Sequence, residues 1–165
     1  MSASKDYDKT LNQFQSYLLT ILKVYQDLVP ILRSELTSIQ KDDIETLNDC
    51  LRSQQALMLQ TKNFDAKVVE YQTMLNIKAA NLSELILKLP NEDQMPFFEI
   101  LSQFGQTSDE VRFYQDKCKT LLQSKLYLID KVLSKAHMPK DNVTYNKDAA
   151  EVQRSLFSKS LEVKI

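Results

Sequence analysis

Leu11, Phe14, Leu18, Ile21, Tyr25, Leu28 and Leu32 follow one another at alternating steps of three and four residues. That spacing puts all seven on one stripe of an α-helix and on both faces of a β-strand, so only the helix gives them a common side to bury. Leu36 and Ile39 prolong the stripe after a one-residue shift, and the first helix is expected over about residues 6–39. Pro30 stands inside it, which predicts a kink near Gln26 to Pro30, because proline lacks one backbone donor and crowds the preceding turn. The chain holds one Gly, four Pro and no Trp among 165 residues. Sandwiches and nucleotide-binding sheets require many turn glycines, so the fold class expected is all-α.

After Lys41-Asp42-Asp43 the same periodicity resumes. Asp42 with Glu45 three residues on reads as a capping box that starts a second helix, and the tight connection makes it an antiparallel neighbour. Ile44, Leu47, Leu51, Gln54, Met58, Thr61, Phe64, Val68, Tyr71, Leu75, Lys78, Leu82, Leu85 and Leu89 extend the 3/4 spacing with no Gly or Pro before Pro90. Taken as one helix this segment is roughly 70 Å long. From Leu57 onward the stripe broadens, which predicts packing against more than one helix. Pro96, Phe97, Phe98, Ile100, Leu101 and Phe104 read as a short apolar helix ended by Gly105 and capping one end of the hairpin. Thr107 with Glu110 reads as a second capping box, opening a third helix through Val111, Tyr114, Cys118, Leu121, Lys125, Leu128 and Val132 that runs back along helix 2.

The periodicity ends near Pro139, so residues 1–138 are expected to form one helical bundle domain and residues 139–165 a flexible tail. The tail still carries Leu156, Phe157, Leu161, Val163 and Ile165. Such residues serve either to bind a partner or to fold back onto the bundle.

Chemistry is poorly served. The lone histidine, His137, has no Glu three residues before it, which excludes the di-metal carboxylate sites of helical bundles. Cys50 and Cys118 form no zinc-ligand spacing and read as small core residues of a reducing compartment. One glycine cannot build a phosphate cradle. His137 lies at a helix end beside Pro139, an unfavourable place for phosphotransfer, which stays a third-ranked reading. With 21 basic and 22 acidic residues the chain has no electrostatic footprint for nucleic acid, and Lys62, Lys67, Lys78 and Lys88 read as charges of a solvated face. No stretch approaches the apolar length of a membrane span, and the start Met1-Ser2-Ala3-Ser4-Lys5-Asp6 lacks a signal-peptide core, so a cytoplasmic protein that is not an enzyme, needs no cofactor and binds other proteins is expected. A monomer or a homodimer fits, and a structural coiled-coil adaptor or tether is the second reading.

The layout resembles the FlgN family of flagellar type III export chaperones. The residues that carry the likeness are the hairpin from Leu11 to Leu89, the third helix from Val111 to Leu133, the motif Val143-Thr144-Tyr145-Asn146-Lys147, and the ending Leu161-Glu162-Val163-Lys164-Ile165. Family members have a helical hairpin with a very long second helix, a third helix, a short Thr-Tyr motif and a tail of basic and apolar residues. The resemblance implies a cytosolic chaperone that binds the hook-filament junction proteins FlgK and FlgL, keeps their terminal helical segments from self-associating, and delivers them to the export gate. It implies client contacts on helix 3, at Tyr127, Leu128 and Leu133, and on the tail, at Leu156, Phe157, Leu161, Val163 and Ile165, with Tyr145 docking on the export-gate protein. Read from the residues alone, Tyr127, Leu128 and Leu133 fit the bundle core as well, and Tyr145 fits a tail aromatic without a partner.

Overall fold

A computed structural model describes residues 2–136 of the chain, with side chains from Lys5 onward. Five helices account for nearly all of it: α1 (Ser2–Lys41), α2 (Ile44–Leu59), α3 (Phe64–Met74), α4 (Leu82–Leu87) and α5 (Asn91–Lys135). No strand occurs among the described residues. The fold is all-α, as expected, and α1 with α2 forms the predicted antiparallel hairpin.

Why α1 forms is legible in its burial. Phe14, Leu18, Leu28 and Leu32 are essentially inaccessible, and Ile21, Tyr25 and Ile39 are buried beside them. Leu22, Val24 and Val29, off the seven-residue stripe, are buried too. A helix buried over so wide an arc must be covered from two sides. One cover is α2 continuing into α3, which returns antiparallel: Gln54 meets Glu35, and the Tyr71 hydroxyl reaches the Gln13 carbonyl at 3.4 Å. The other is α5, which runs parallel to α1. Tyr7 donates to Asp93 at 3.4 Å, Arg33 to Glu110 and Tyr114, the Cys118 thiol to the Leu32 carbonyl at 3.7 Å, and Lys125 to Asp42. These pairs ascend both helices together. Pro30 cannot donate to the Gln26 carbonyl, yet α1 continues to Lys41, held by the fully buried Leu28 and Leu32 on either side.

The second helix is not continuous, which corrects the 70 Å reading. It stops first at Gln60 to Asn63, where the Thr61 hydroxyl turns back to the Met58 carbonyl at 2.9 Å. It stops again after Met74. Asn76 adopts a left-handed backbone (φ 55°), and the Ile77 N–H bonds to the Gln72 carbonyl at 2.9 Å, closing the carbonyl end of α3. Asn81 then opens α4: its side chain accepts from the Glu84 N–H at 2.8 Å while the Glu84 carboxylate accepts from the Ala80 N–H at 2.8 Å. These breaks fold Val68, Leu75, Leu82, Leu85, Ile86 and Leu89 into one core cluster with Phe14, Leu18, Leu22, Phe97 and Ile100. That agrees with the expectation that this part meets more than one helix. A straight rod could not have brought Leu75, Leu82 and Leu89 to the same place.

Two further expectations are corrected. The N-cap of α2 is Asp43, which accepts from the Thr46 N–H at 3.0 Å, whereas Asp42 occupies the left-handed region (φ 57°) and pairs with Lys125. The short apolar helix and the third helix are one 45-residue helix, α5, with Pro96 in its second turn and Gly105 and Thr107 inside it. No cap is needed at Thr107, because the backbone donors there are satisfied within the helix. Gly105 makes no close approach: a Cβ added to it meets nothing within 4 Å. Gly105→Ala is therefore expected to stabilise the protein by about 0.5–1 kcal/mol, the interior helix preference for alanine, read as a raised denaturant midpoint with unchanged slope.

Candidate functional site

The seam of α5 has a seven-residue repeat. Leu101, Ser108, Gln115, Leu122 and Ile129 occupy one position, and Phe97, Phe104, Val111, Cys118, Lys125 and Val132 the other. As far as Leu122 this seam lies chiefly against α1 and, near its start, α4. The expectation that the third helix runs back along helix 2 is corrected, since α2 meets α5 mainly through Met58 and Leu47 in the shared apolar clusters. Phe97 and Ile100 join the first core cluster, Val111 the second with Tyr25, Leu28 and Met58, and Cys118 the third with Ile39 and Leu47. Leu121 and Leu122 pack on that third cluster, and Lys125 reaches Asp42 at the hairpin turn. There α1 and α2 end.

The helix does not. From Leu126 to Lys135 α5 continues for roughly ten residues, about 15 Å, beyond its partner helices among the described residues. Its apolar stripe continues with it. Cys118 is 3 % exposed, but Ile129, three seam positions on, is 47 % exposed and Val132 65 %. Leu126 and Leu128 are exposed and Leu133 half-buried. Single exposed leucines need no explanation; a core repeat carried past the end of the core does.

The stripe also widens at this point. The flanking position that holds Phe98 on the first core cluster and then the exposed Arg112 and Lys119 holds Leu126 and Leu133 on the overhang. The opposite flank, Tyr114 and Leu121 along the body, continues as Leu128. Four of seven positions are apolar there, whereas a helix in the body of such a bundle uses about three.

Of the sequence candidates on this helix, Leu128 and Leu133 lie on the stripe. Tyr127 does not: on a helical wheel it projects nearly opposite the seam, it is exposed, and Lys131, one turn on, places its ammonium 5.3 Å from the ring centroid. The core reading of Tyr127 and Leu128 is overturned, since both are solvent-facing. Ile129, Val132 and Leu126 stand on the same exposed stripe, and the repeat that leads to them is in the sequence. Tyr145, Leu156, Phe157, Leu161, Val163, Ile165 and His137 lie outside the described residues.

Elsewhere the side chains are structural. Glu35, Ser38 and Gln54 are buried between α1 and α2, with Gln54 donating to the Glu35 carboxylate and the Ser38 hydroxyl to the Glu35 carbonyl at 2.7 Å. Burial, then the nearby Glu35 carboxylate, pushes the Cys118 thiol up to about 12, so it carries almost no nucleophilic thiolate near neutral pH. Cys50 is likewise buried and free. Lys62, Lys67, Lys78 and Lys88 are all exposed, and Lys67 and Lys88 are engaged by Glu70 and Glu84. No group of His, Cys, Asp and Glu suited to hold a metal occurs among the described residues, and no helix among them is long and apolar enough to cross a membrane.

If the overhang carries no part of the core, its side chains contribute little to stability. Leu128→Ala is expected to shift unfolding by less than about 0.5 kcal/mol, whereas Leu28→Ala, at a fully buried position, should cost about 2–5 kcal/mol. Denaturant unfolding of the two variants checks this.

The family model described as FlgN protein matches residues 1–153. No curated protein and no solved structure matches the chain. The match spans the whole described bundle, including the overhang, and the chain belongs to the FlgN family, a family of flagellar export chaperones rather than enzymes.

Proposed function

We propose that this protein is a cytoplasmic chaperone of hook-filament junction proteins of the FlgK and FlgL type, and that it delivers them to the flagellar type III export gate. The observation that carries the reading is the α5 seam, which continues for nearly three further turns after α1 and α2 have ended. A client segment that is itself an amphipathic helix takes the place of the missing partners, laying its apolar side on Ile129, Val132 and Leu128. Sequestering that side is what stops such a segment from associating with its own kind. Leu133 belongs to the same surface. Tyr127 sits on the other side of the helix and is left out of the client contact.

Residues 139–165 supply the second part of the partner-binding region: Leu156, Phe157, Leu161, Val163 and Ile165 toward the client, and Tyr145 toward the export-gate protein. The division of labour is a bundle of residues 1–138 that gives α5 its direction, and a segment beyond it that completes the grip. Helix packing alone performs this work, and no cofactor enters it.

Titration calorimetry with a hook-filament junction client tests the proposal. Ile129→Asp with Val132→Asp should weaken binding by at least about 30-fold, as loss of a central apolar anchor does, and removal of residues 140–165 should also release the client. Tyr127→Ala should bind as the parent does. Unchanged affinity in the double variant, with the bundle still folded by circular dichroism, would refute the overhang as the docking surface. Self-association of the parent chain in sedimentation, abolished by the same double variant, would point to a tether instead.

A further inference from the structure

The apolar seam of α5 does not begin at the overhang. Just before it, Cys118, Leu121 and Leu122 carry the same stripe beneath the tip of the α1–α2 hairpin, where they pack with Ile39 and Leu47. The overhang by itself offers a client helix about 15 Å, and an isolated helix of that length is marginal in water. We propose that the hairpin tip is a movable flap. It swings away from α5 about a hinge at Pro30 and residues 60–63, and the client's amphipathic helix enters between them, onto Cys118, Leu121 and Leu122. The inference rests on the proposed function for the nature of the client, and it lengthens the docking surface to roughly 27 Å.

The hinge lies where both helices of the hairpin are weakest. In α1, Pro30 has no N–H to give the Gln26 carbonyl, so one rung of the ladder is missing there. In the returning segment α2 ends at Leu59, and the Gln60, Thr61 and Lys62 N–H groups bond three residues back, to the Leu57, Met58 and Leu59 carbonyls. Such tighter turns have poorer hydrogen-bond geometry and recur at hinges. The two weak points stand at the same height. Gln54 meets Glu35, and five residues back along α1 and five on along antiparallel α2 lead to Pro30 and Leu59. Both helices can therefore bend together.

Beyond the hinge the tip moves as one piece. The bond of Gln54 to the Glu35 carboxylate joins α1 to α2, and that of the Ser38 hydroxyl to the Glu35 carbonyl lies within α1, so opening breaks neither. Toward α5 the hold is light. Around Ile39, Leu47 and Cys118 the residues Leu36, Leu51, Leu121 and Leu122 are only half-buried, and the ion pair of Lys125 with Asp42 has a largely exposed carboxylate, so it contributes little. A helix passing between the tip and α5 covers Ile39 and Leu47 on one side and Cys118 and Leu122 on the other. The apolar surface parted by the opening is buried again.

Cys118 reports the opening. Closed, it is 3 % exposed and its thiol is pushed up to about 12, so it is inert to alkylation; opening returns it to water. In the full chain, Asp42→Cys with Lys125→Cys bridged by a short bis-maleimide locks the tip, and the same variant capped by a monofunctional maleimide is the control. A small maleimide added afterwards, followed by mass at Cys118, should label the bridged protein at least about 10-fold more slowly than the capped one. Titration calorimetry with a hook-filament junction client should show at least about 10-fold weaker binding to the bridged protein. Pro30→Ala, at an exposed position, restores the missing bond and should slow labelling and weaken binding in the same direction, with the fold retained by circular dichroism. Equal labelling, or equal client affinity, of the bridged and capped proteins overturns the inference. Client binding separates the two levels: if Ile129→Asp with Val132→Asp abolishes binding while the bridge leaves it unchanged, the overhang stands as the docking surface and only the flap falls.

Discussion

The parallel contact between α1 and α5 fixes everything else in this molecule. Two parallel helices cannot be joined by a short turn, so the chain must return the length of α1 before α5 begins, and α2, α3 and α4 are that return. Their breaks at Gln60 to Asn63 and at Leu75 to Asn81 let the returning segment fill the widening space between the two long helices instead of running straight past them. The register is set at both ends, by Tyr7 with Asp93 and by Asp42 with Lys125. With that register, a 45-residue α5 beside a 40-residue α1 that begins earlier leaves the carboxyl-terminal turns of α5 without a partner helix among the described residues. The overhang follows from the packing and is not an accident of a loose end.

The core is not uniform along this axis. The largest apolar cluster occupies the end where α3 and α4 add their side chains, a second follows it around Leu28, Met58 and Val111, and a smaller one, built on Ile39, Leu47 and Cys118, ends the core just before the overhang. Glu35, Ser38 and Gln54 are buried toward that smaller end. A buried carboxylate is costly unless hydrogen-bonded, and the Gln54 amide supplies one such bond, so the pair favours one alignment of α1 against α2. The hairpin turn follows directly, with Asp43 capping α2 and Asp42 turned through the left-handed region to meet Lys125. Among the described residues Lys125 is the last seam residue tied to the hairpin. Past it the direction of α5 is fixed from behind, which lets a short exposed helix present its apolar side at a constant angle.

Much of this was legible in the sequence. The 3/4 spacing from Leu11 to Leu32 points to α1, and a single glycine with no tryptophan points to the all-α class. Where reading failed, local signals were ambiguous in a physical way. Thr107 with Glu110 looks like a helix start and Gly105 like a stop, but such signals matter only where backbone donors and acceptors are left over, and inside α5 none are. Asn81 is the converse case: its side chain with Glu84 is a true cap, but the run of apolar residues through it has the spacing of unbroken helix, because periodicity does not register a break that conserves phase. Ile129 and Val132 continue a visible repeat, yet a repeat states which side of a helix is apolar and not where its partners end. Only the placement of Asp42 against Lys125 shows that.

The central claim is that one side of the α5 overhang, and not the helix as a whole, receives the client. A photo-crosslinking amino acid placed singly at position 129 or at position 127 tests it most directly, in the full chain mixed with a hook-filament junction client. Position 129 should give a one-to-one crosslink, mapped to an amphipathic segment of the client, and position 127, on the opposite side beside Lys131, should give none. Equal crosslinking from both positions, or crosslinking from 127 alone, would contradict the account.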